Sequence, residues 1–290
     1  VQFLPFADAG TKELPLARLL RLSLFQFTVG MAITLTIGTL NRVMIVEFDV
    51  STTLVSLMVG LPLVFAPLRA LIGFKSDTHR SVLGWRRVPY IWFGTLIQFG
   101  GLAIMPFALL VLSGDNGAPV MLGRFAAAFA FLLVGAGMQT TQTAGLALAT
   151  DLASEKMRPR VVALMYSMLL IGMVVSGIVF GFLLRDFSPL RLIQVVQGSA
   201  LFTMVVNVIA LWKQEARDPS RTMKGGDGMP DFTTVWVQFT EQPNTKRFLL
   251  AVGLSTVAFA MQDTMLEPYG GEILHLGVSQ TTMLTALLAG

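Results

Sequence analysis

The chain has 290 residues, 54% of them hydrophobic and only 13% charged, with a mean hydropathy of +0.69. A soluble domain carries about 25% charged residues, so a water-soluble globular protein is excluded. With no cysteine, disulfides, thiolate metal sites and dithiol redox motifs are excluded as well. The sequence pI is 9.7, but in a chain this apolar the basic residues set topology, and no nucleic-acid partner is expected.

Apolar runs near the length a helix needs to cross the hydrocarbon layer recur along the chain. Open strands cannot satisfy their backbone there, so an all-α polytopic membrane protein is predicted. Spans are expected at 22–46, 53–74, 88–112, 121–149, 161–184, 190–212 and 247–267, with an eighth starting near 279. Placing the N-terminus in the cytoplasm leaves Arg42, Arg124, Arg185 and Arg191 outside and the other 17 of the 21 Lys and Arg residues inside, as the positive-inside rule requires.

Residues 1–21 are read as a cytoplasmic segment ending in an interfacial amphipathic stretch, KELPLARLLR at 12–21. A six-helix bundle follows at 22–212. A cytoplasmic linker occupies 213–246, polar and glycine-rich at 217–230. Near 231–242 that linker carries Phe232, Val235, Trp236 and Phe239 at helical spacing behind a capping Asp231, the pattern of a helix lying on the membrane. Residues 247–290 are read as the start of a second six-helix bundle. The apolar run that reaches Gly290 implies a longer protein, and the first residues lack the pattern of a cleavable signal peptide. A short internal repeat supports two halves: Val-Ser then Thr-Thr recurs in FDVSTTLVSL (48–57) and LGVSQTTMLTAL (276–287), with Asn41-Arg42 corresponding to Gln262-Asp263. Six spans, a linker and a repeat describe a six-plus-six transporter fold.

Polar residues inside a bilayer are costly and face a cavity or another helix. They gather on the first span (Gln26, Thr28, Thr34, Thr36, Thr39, Asn41, Arg42), the fourth (Gln139, Thr140, Gln142, Thr143) and the seventh (Gln262, Asp263), with the sixth a partial exception through Gln194, Gln197 and Asn207. Asn41, Gln139, Gln142, Thr143 and Gln262 are the candidates for lining a cavity; the competing reading of each is helix-to-helix glue. Asp263 and Glu267 share a face of the seventh span, and Pro268 with Gly270-Gly271 is expected to break that helix. Arg42 is expected to pair with Asp263 or Glu267 across the halves. Alternatives are a proton-coupling carboxylate and a solvated helix end. In the fifth span Gly172, Ser176 and Gly181 lie near one face at a spacing that allows close helix packing.

The loop GFKSDTHRSVLGWRRVPYI (73–91) resembles the inner-loop signature of the major facilitator superfamily, with Gly73, Asp77, Arg86 and Arg87 as its recognisable members and extra residues before the second part. A structural latch is expected there. Three stretches, GTLNRVMIVE (38–47), GLPLVFAPLRALIGFKSDTHRSVLGWRRVPYIWFGTLIQFGG (60–101) and MQDTMLEPYGGEI (261–273), resemble the PucC/LhaA family of purple phototrophic bacteria, the bacteriochlorophyll-delivery branch of that superfamily.

The resemblance implies twelve spans in the whole protein. It implies an assembly factor in the intracytoplasmic photosynthetic membrane that binds or delivers bacteriochlorophyll to nascent light-harvesting polypeptides. The reaction centre, membrane lipid and pigment-synthesis enzymes are further partners. LhaA-like members serve the core antenna around the reaction centre and PucC-like members the peripheral one; the core reading is taken, with the peripheral one open. An ion-coupled transporter of a small solute and a purely structural subunit are the other readings. No nucleophile–base pair, metal-ligand cluster or phosphate loop is evident, so no enzyme is expected. His79 and His275 both fall in loops, so pigment magnesium would need a ligand other than histidine.

Overall fold

The computed structural model describes residues 14–79, 84–112, 117, 119–216 and 231–289, and leaves the side chains of Val64, Asp263, Ala286, Leu288 and Ala289 outside that description. Every regular element among the described residues is a helix. Those long and apolar enough to cross a membrane are α1 (Leu16–Glu47), α2 (Thr52–Asp77), α3 (Val88–Leu112), α4 (Val120–Leu152), α5 (Arg158–Leu183), α6 (Pro189–Leu211) and α8 (Thr245–Glu272). The short α7 (Phe232–Glu241) precedes α8, and α9 (Val278–Ala289) follows it. These are the expected spans and the beginning of the eighth.

Two expectations are corrected. The segment at 12–21 is not a separate surface helix: from Leu16 it forms the first turns of α1, with Leu14, Leu16, Leu19 and Leu22 buried. The same leucine spacing serves either place, and a tertiary contact decides. Arg18 Nη2 donates to the Gln214 carbonyl at 2.5 Å and its Nε to Gln214 Oε1 at 3.3 Å, tying the start of α1 to the chain after α6. Residues 12 and 13, like the linker at 217–230, lie outside the described residues.

The second correction concerns Pro268. Helix α8 runs through it to Glu272. Proline removes the N–H that would have bonded the carbonyl four residues back, that of Thr264. Asn41 Nδ2 donates to that carbonyl at 2.7 Å from α1. The orphan acceptor is satisfied by a neighbouring helix, which is how prolines are tolerated in spans.

Helix α1 is the most enclosed of the spans and lies against α5 and α6 over its first half. Its second half is π-helical at Thr34–Leu40 and again at Val43–Glu47, and lies against α8 and α9. Glycines set the close approaches. A Cβ on Gly172 would sit 2.8 Å from Phe27 Cα, and one on Gly181 would sit 2.8 Å from Met283 Cγ; Ser176 is buried between them. So the fifth span packs tightly, as expected, against α1 and α9.

The α3–α4 contact is comparably close. Cβ atoms on Gly94 and Gly101 would lie 2.8 Å and 2.9 Å from the carbonyl oxygens of Gly137 and Ala130, and one on Gly137 would lie 2.8 Å from Gln98 Cα. Backbone cannot give way as a flexible side chain does. Gly137→Ala is therefore expected to destabilise the purified protein by about 2 kcal/mol through overpacking. Gly100→Ala, whose Cβ would meet open space, is expected to be neutral or slightly stabilising. Thermal melting of the two variants in one detergent checks the contrast.

The two repeated segments open α2 and α9, each after a connection with one left-handed residue, Asp49 (φ 51°) and His275 (φ 54°). Helix α7 buries none of its residues within the chain; Val235, Trp236 and Phe239 are exposed and Phe232 is half-buried, at the helical spacing that the sequence gives them. Phe232 meets Phe74 of α2 edge-on at 5.5 Å. Asp231 caps α7 by accepting the Thr233 N–H, and hydrogen bonds from Thr233 hold its carboxyl below the ordinary value.

Candidate functional site

At the basic end of the bundle, the loop signature forms a latch. Arg87 is 6% exposed. Its guanidinium pairs with Asp77 of α2, donates from Nε to Asp151 Oδ2 of α4 at 3.1 Å, and donates from Nη1 to Ser76 Oγ at 2.6 Å. Arg86 adds a longer contact to Asp151 at 3.5 Å. Glu215, just beyond α6, accepts backbone N–H groups of Arg86 (2.8 Å), Arg87 (3.1 Å) and Val88 (3.0 Å). These are orphan donors at the start of α3, where a carboxylate is favoured by the helix dipole. Gly73 makes no comparably close approach: a Cβ there would meet Thr143 Cγ2 at 3.8 Å, ordinary contact. Glu215 was not singled out from the sequence, because its partners lie 127 to 129 residues away and no local spacing signals it.

At the opposite end, a polar seam joins the second half of α1 to α8 and α9. Arg42, 3% exposed, donates from Nη1 to Glu47 Oε1 at 2.6 Å and from Nη2 to the Leu276 carbonyl at 3.0 Å. The expected pairing of Arg42 with Glu267 is corrected: the π-helical turn brings residues i and i+5 together, so Glu47 takes the guanidinium. Arg42 still bridges the halves, through a carbonyl. The Asp263 side chain lies outside the described residues. Glu267 is 1% exposed and accepts the Thr285 hydroxyl of α9 at Oε1, while Oε2 has no partner. Gly38 of α1 faces this carboxylate, and a Cβ there would also lie 3.3 Å from Thr285 Oγ1. Thr39 and Thr282 hydroxyls meet at 3.3 Å beside it.

The spans meet a third time through amides and hydroxyls. Thr28 donates to Asn207 Oδ1 at 2.9 Å and Asn207 Nδ2 to Thr95 Oγ1 at 2.9 Å, joining α1, α6 and α3 in the buried interior. On the half-buried face of α4, Gln142 Nε2 donates to Gln26 Oε1 of α1 at 3.4 Å, and Thr143 Oγ1 accepts Arg69 Nε of α2 at 3.1 Å. Gln139, one turn above Thr143, has a buried Oε1 without a partner. Of the cavity candidates, Gln139, Gln142 and Thr143 therefore share one face, Asn41 serves the α8 proline, and Gln262 lies on the exposed side of α8.

A family model described as PUCC protein matches residues 39–290. Protein PucC of Rhodovulum sulfidophilum is 59% identical over 100% of this chain and 65% of its own length. An uncharacterized protein of the puhA-bchM intergenic region of Rhodobacter capsulatus is 54% identical over 98% of this chain and 60% of its own length. The chain thus spans somewhat less than two thirds of the length of either relative. Among solved structures, a bacterial homologue of the human lysosomal transporter Spinster, inward-facing and unoccupied, superposes with a TM-score of 0.62 over 97% of this chain and 60% of that one. At 17% identity the likeness is one of fold, that of this transporter homologue.

Proposed function

The chain belongs to the PUCC protein family, and we propose on that premise that it is the greater part of an assembly factor that brings bacteriochlorophyll to nascent light-harvesting polypeptides. The observation that carries the reading is the family match over 39–290. The helices supply the setting: a multi-pass bundle with a half-buried amide face and no histidine in its spans. Gln139 is the residue proposed to meet pigment magnesium, since its amide oxygen is an acceptor without a partner. Neutral oxygen ligation is weaker than imidazole ligation and suits a carrier that must release its cargo. The antenna served is read as the core antenna around the reaction centre, on the resemblance of the sequence to LhaA-like members. Relatives at 59% and 54% identity do not separate this from the peripheral antenna. The proposed location is the intracytoplasmic photosynthetic membrane with the basic end in the cytoplasm, and no catalytic role is proposed.

A second reading, an ion-coupled transporter of a small solute, is favoured by one observation: the buried Glu267 carboxylate at the seam between α1 and α8–α9. Purifying the full-length protein from a phototrophic membrane in mild detergent separates the two. The expected result is bound bacteriochlorophyll together with antenna polypeptides, whose identity fixes core or peripheral. A colourless protein with no antenna partner would overturn the carrier reading in favour of the transporter.

A further inference from the structure

Arg69 is a basic residue well inside a span. It stands eight residues before Asp77 on α2, and Thr143 stands eight residues before Asp151 on α4. Since Arg87 ties Asp77 and Asp151 at one level, Arg69 and Thr143 sit level with each other, about 12 Å along the helices from the latch.

The hydrogen-bonding of this guanidinium differs from that of Arg42 and Arg87. Those two meet carboxylates. Arg69 donates through Nε to a neutral hydroxyl, and among the described residues no carboxylate lies within 4.0 Å of it. The contact with Thr143 also directs the head group toward α4 at its own depth. A charge held at such depth is costly unless something answers it, and guanidinium is built to take two oxygens of one oxyanion. The surroundings add a donor in search of an acceptor: Gln26 Nε2, fully buried on α1 at a similar depth, has no partner, although its own oxygen accepts Gln142. Gly73, one turn below Arg69, carries no side chain to fill the space beside Thr143. Arg69 itself is half-buried, not enclosed.

We propose that Arg69 and Gln26, beside Thr143 of α4, form a subsite for the oxyanion of an amphiphile, a carboxylate or phosphate head on an apolar body. Two sources share this chemistry: the free acid of a tetrapyrrole and an anionic phospholipid. The subsite does not depend on the carrier reading, because an esterified pigment has no oxyanion to offer.

The test uses the full-length protein in detergent and two matched pairs of probes: bacteriopheophorbide against its methyl ester, and phosphatidylglycerol against phosphatidylcholine. Binding is followed by absorption shift for the tetrapyrroles and by native mass spectrometry for the lipids. The expected result is tighter binding, by about tenfold or more, of the charged member of at least one pair. That preference should be lost in Arg69→Gln and largely kept in Arg69→Lys, with melting temperatures showing all three proteins folded. Preference in the first pair alone assigns a tetrapyrrole acid; preference in the second alone assigns a lipid. Equal binding of the charged and uncharged members of both pairs, or a preference that survives Arg69→Gln, would overturn the inference. If both tetrapyrroles bind equally and independently of Arg69, the carrier reading stands while the subsite falls.

Discussion

Replacing Arg87 with alanine is expected to lower the stability of the purified protein by about 3 kcal/mol. Removing one partner of a buried ion pair leaves the other uncompensated, at about 3–5 kcal/mol. The lower end applies because the Asp77 and Asp151 side chains keep 54% and 38% of their exposure and would regain water. Ser76 would lose the donor it now has at 2.6 Å. Arg87→Lys is expected to recover part of the loss, since an ammonium keeps the charge but not the fork that reaches α2 and α4 together. In a double-mutant cycle, Asp77→Asn should cost markedly less in an Arg87→Ala background than alone. Additive effects would show that the pair contributes nothing and the latch is a surface ornament. Glu215→Ala should destabilise through a different route, by leaving the N–H groups of Arg86, Arg87 and Val88 without their acceptor, and Glu215→Gln should recover only part of that loss, because the two carboxylate oxygens share these donors and an amide keeps one of them.

These residues also show how far the sequence alone carries. Gly73, Asp77, Arg86 and Arg87 are legible because they follow a spacing. Glu215 is not, because capping α3 from beyond α6 is a property of the folded bundle. The spans are legible for a simple reason: hydrocarbon thickness fixes their length and composition. Their polar contacts are less so. Arg42 and Glu47 share a depth, but only the π-helical winding of Val43–Glu47 makes them partners. Pro268 carries a local signal for a break, overridden by the Asn41 amide from another helix. Arg69 counts as one more positive residue near the basic end until α4 shows that its head group is held level with Thr143.

Glu267 offers the second large effect, and the absence of cysteine from these 290 residues makes it directly measurable. Thr39 and Thr282, whose hydroxyls stand 3.3 Å apart beside it, can be replaced together by cysteine to report closure of the seam between α1 and α9. In the otherwise native protein, efficient oxidative cross-linking is expected. Glu267→Gln should preserve it, because the amide oxygen still accepts the Thr285 hydroxyl and the volume facing Gly38 is unchanged; the stability loss should stay near 1 kcal/mol. Glu267→Ala removes the acceptor and leaves a void, for about 2–3 kcal/mol. Glu267→Lys is expected to be the most damaging. It puts a second cation near Arg42 in a site 1% exposed, where Glu47 is already engaged. Cross-linking should then fall several-fold while the six-helix bundle, held by the α3–α4 glycines and the Arg87 latch, stays folded. Gly38→Val should reproduce this loss from the other side of the seam, since its side chain would collide with the carboxylate and with Thr285. Equal cross-linking in all of these variants would show that the seam is held by its apolar contacts. A loss in Glu267→Lys and Gly38→Val alone would locate the docking of α8 and α9 in the fit between one buried carboxylate and one missing side chain.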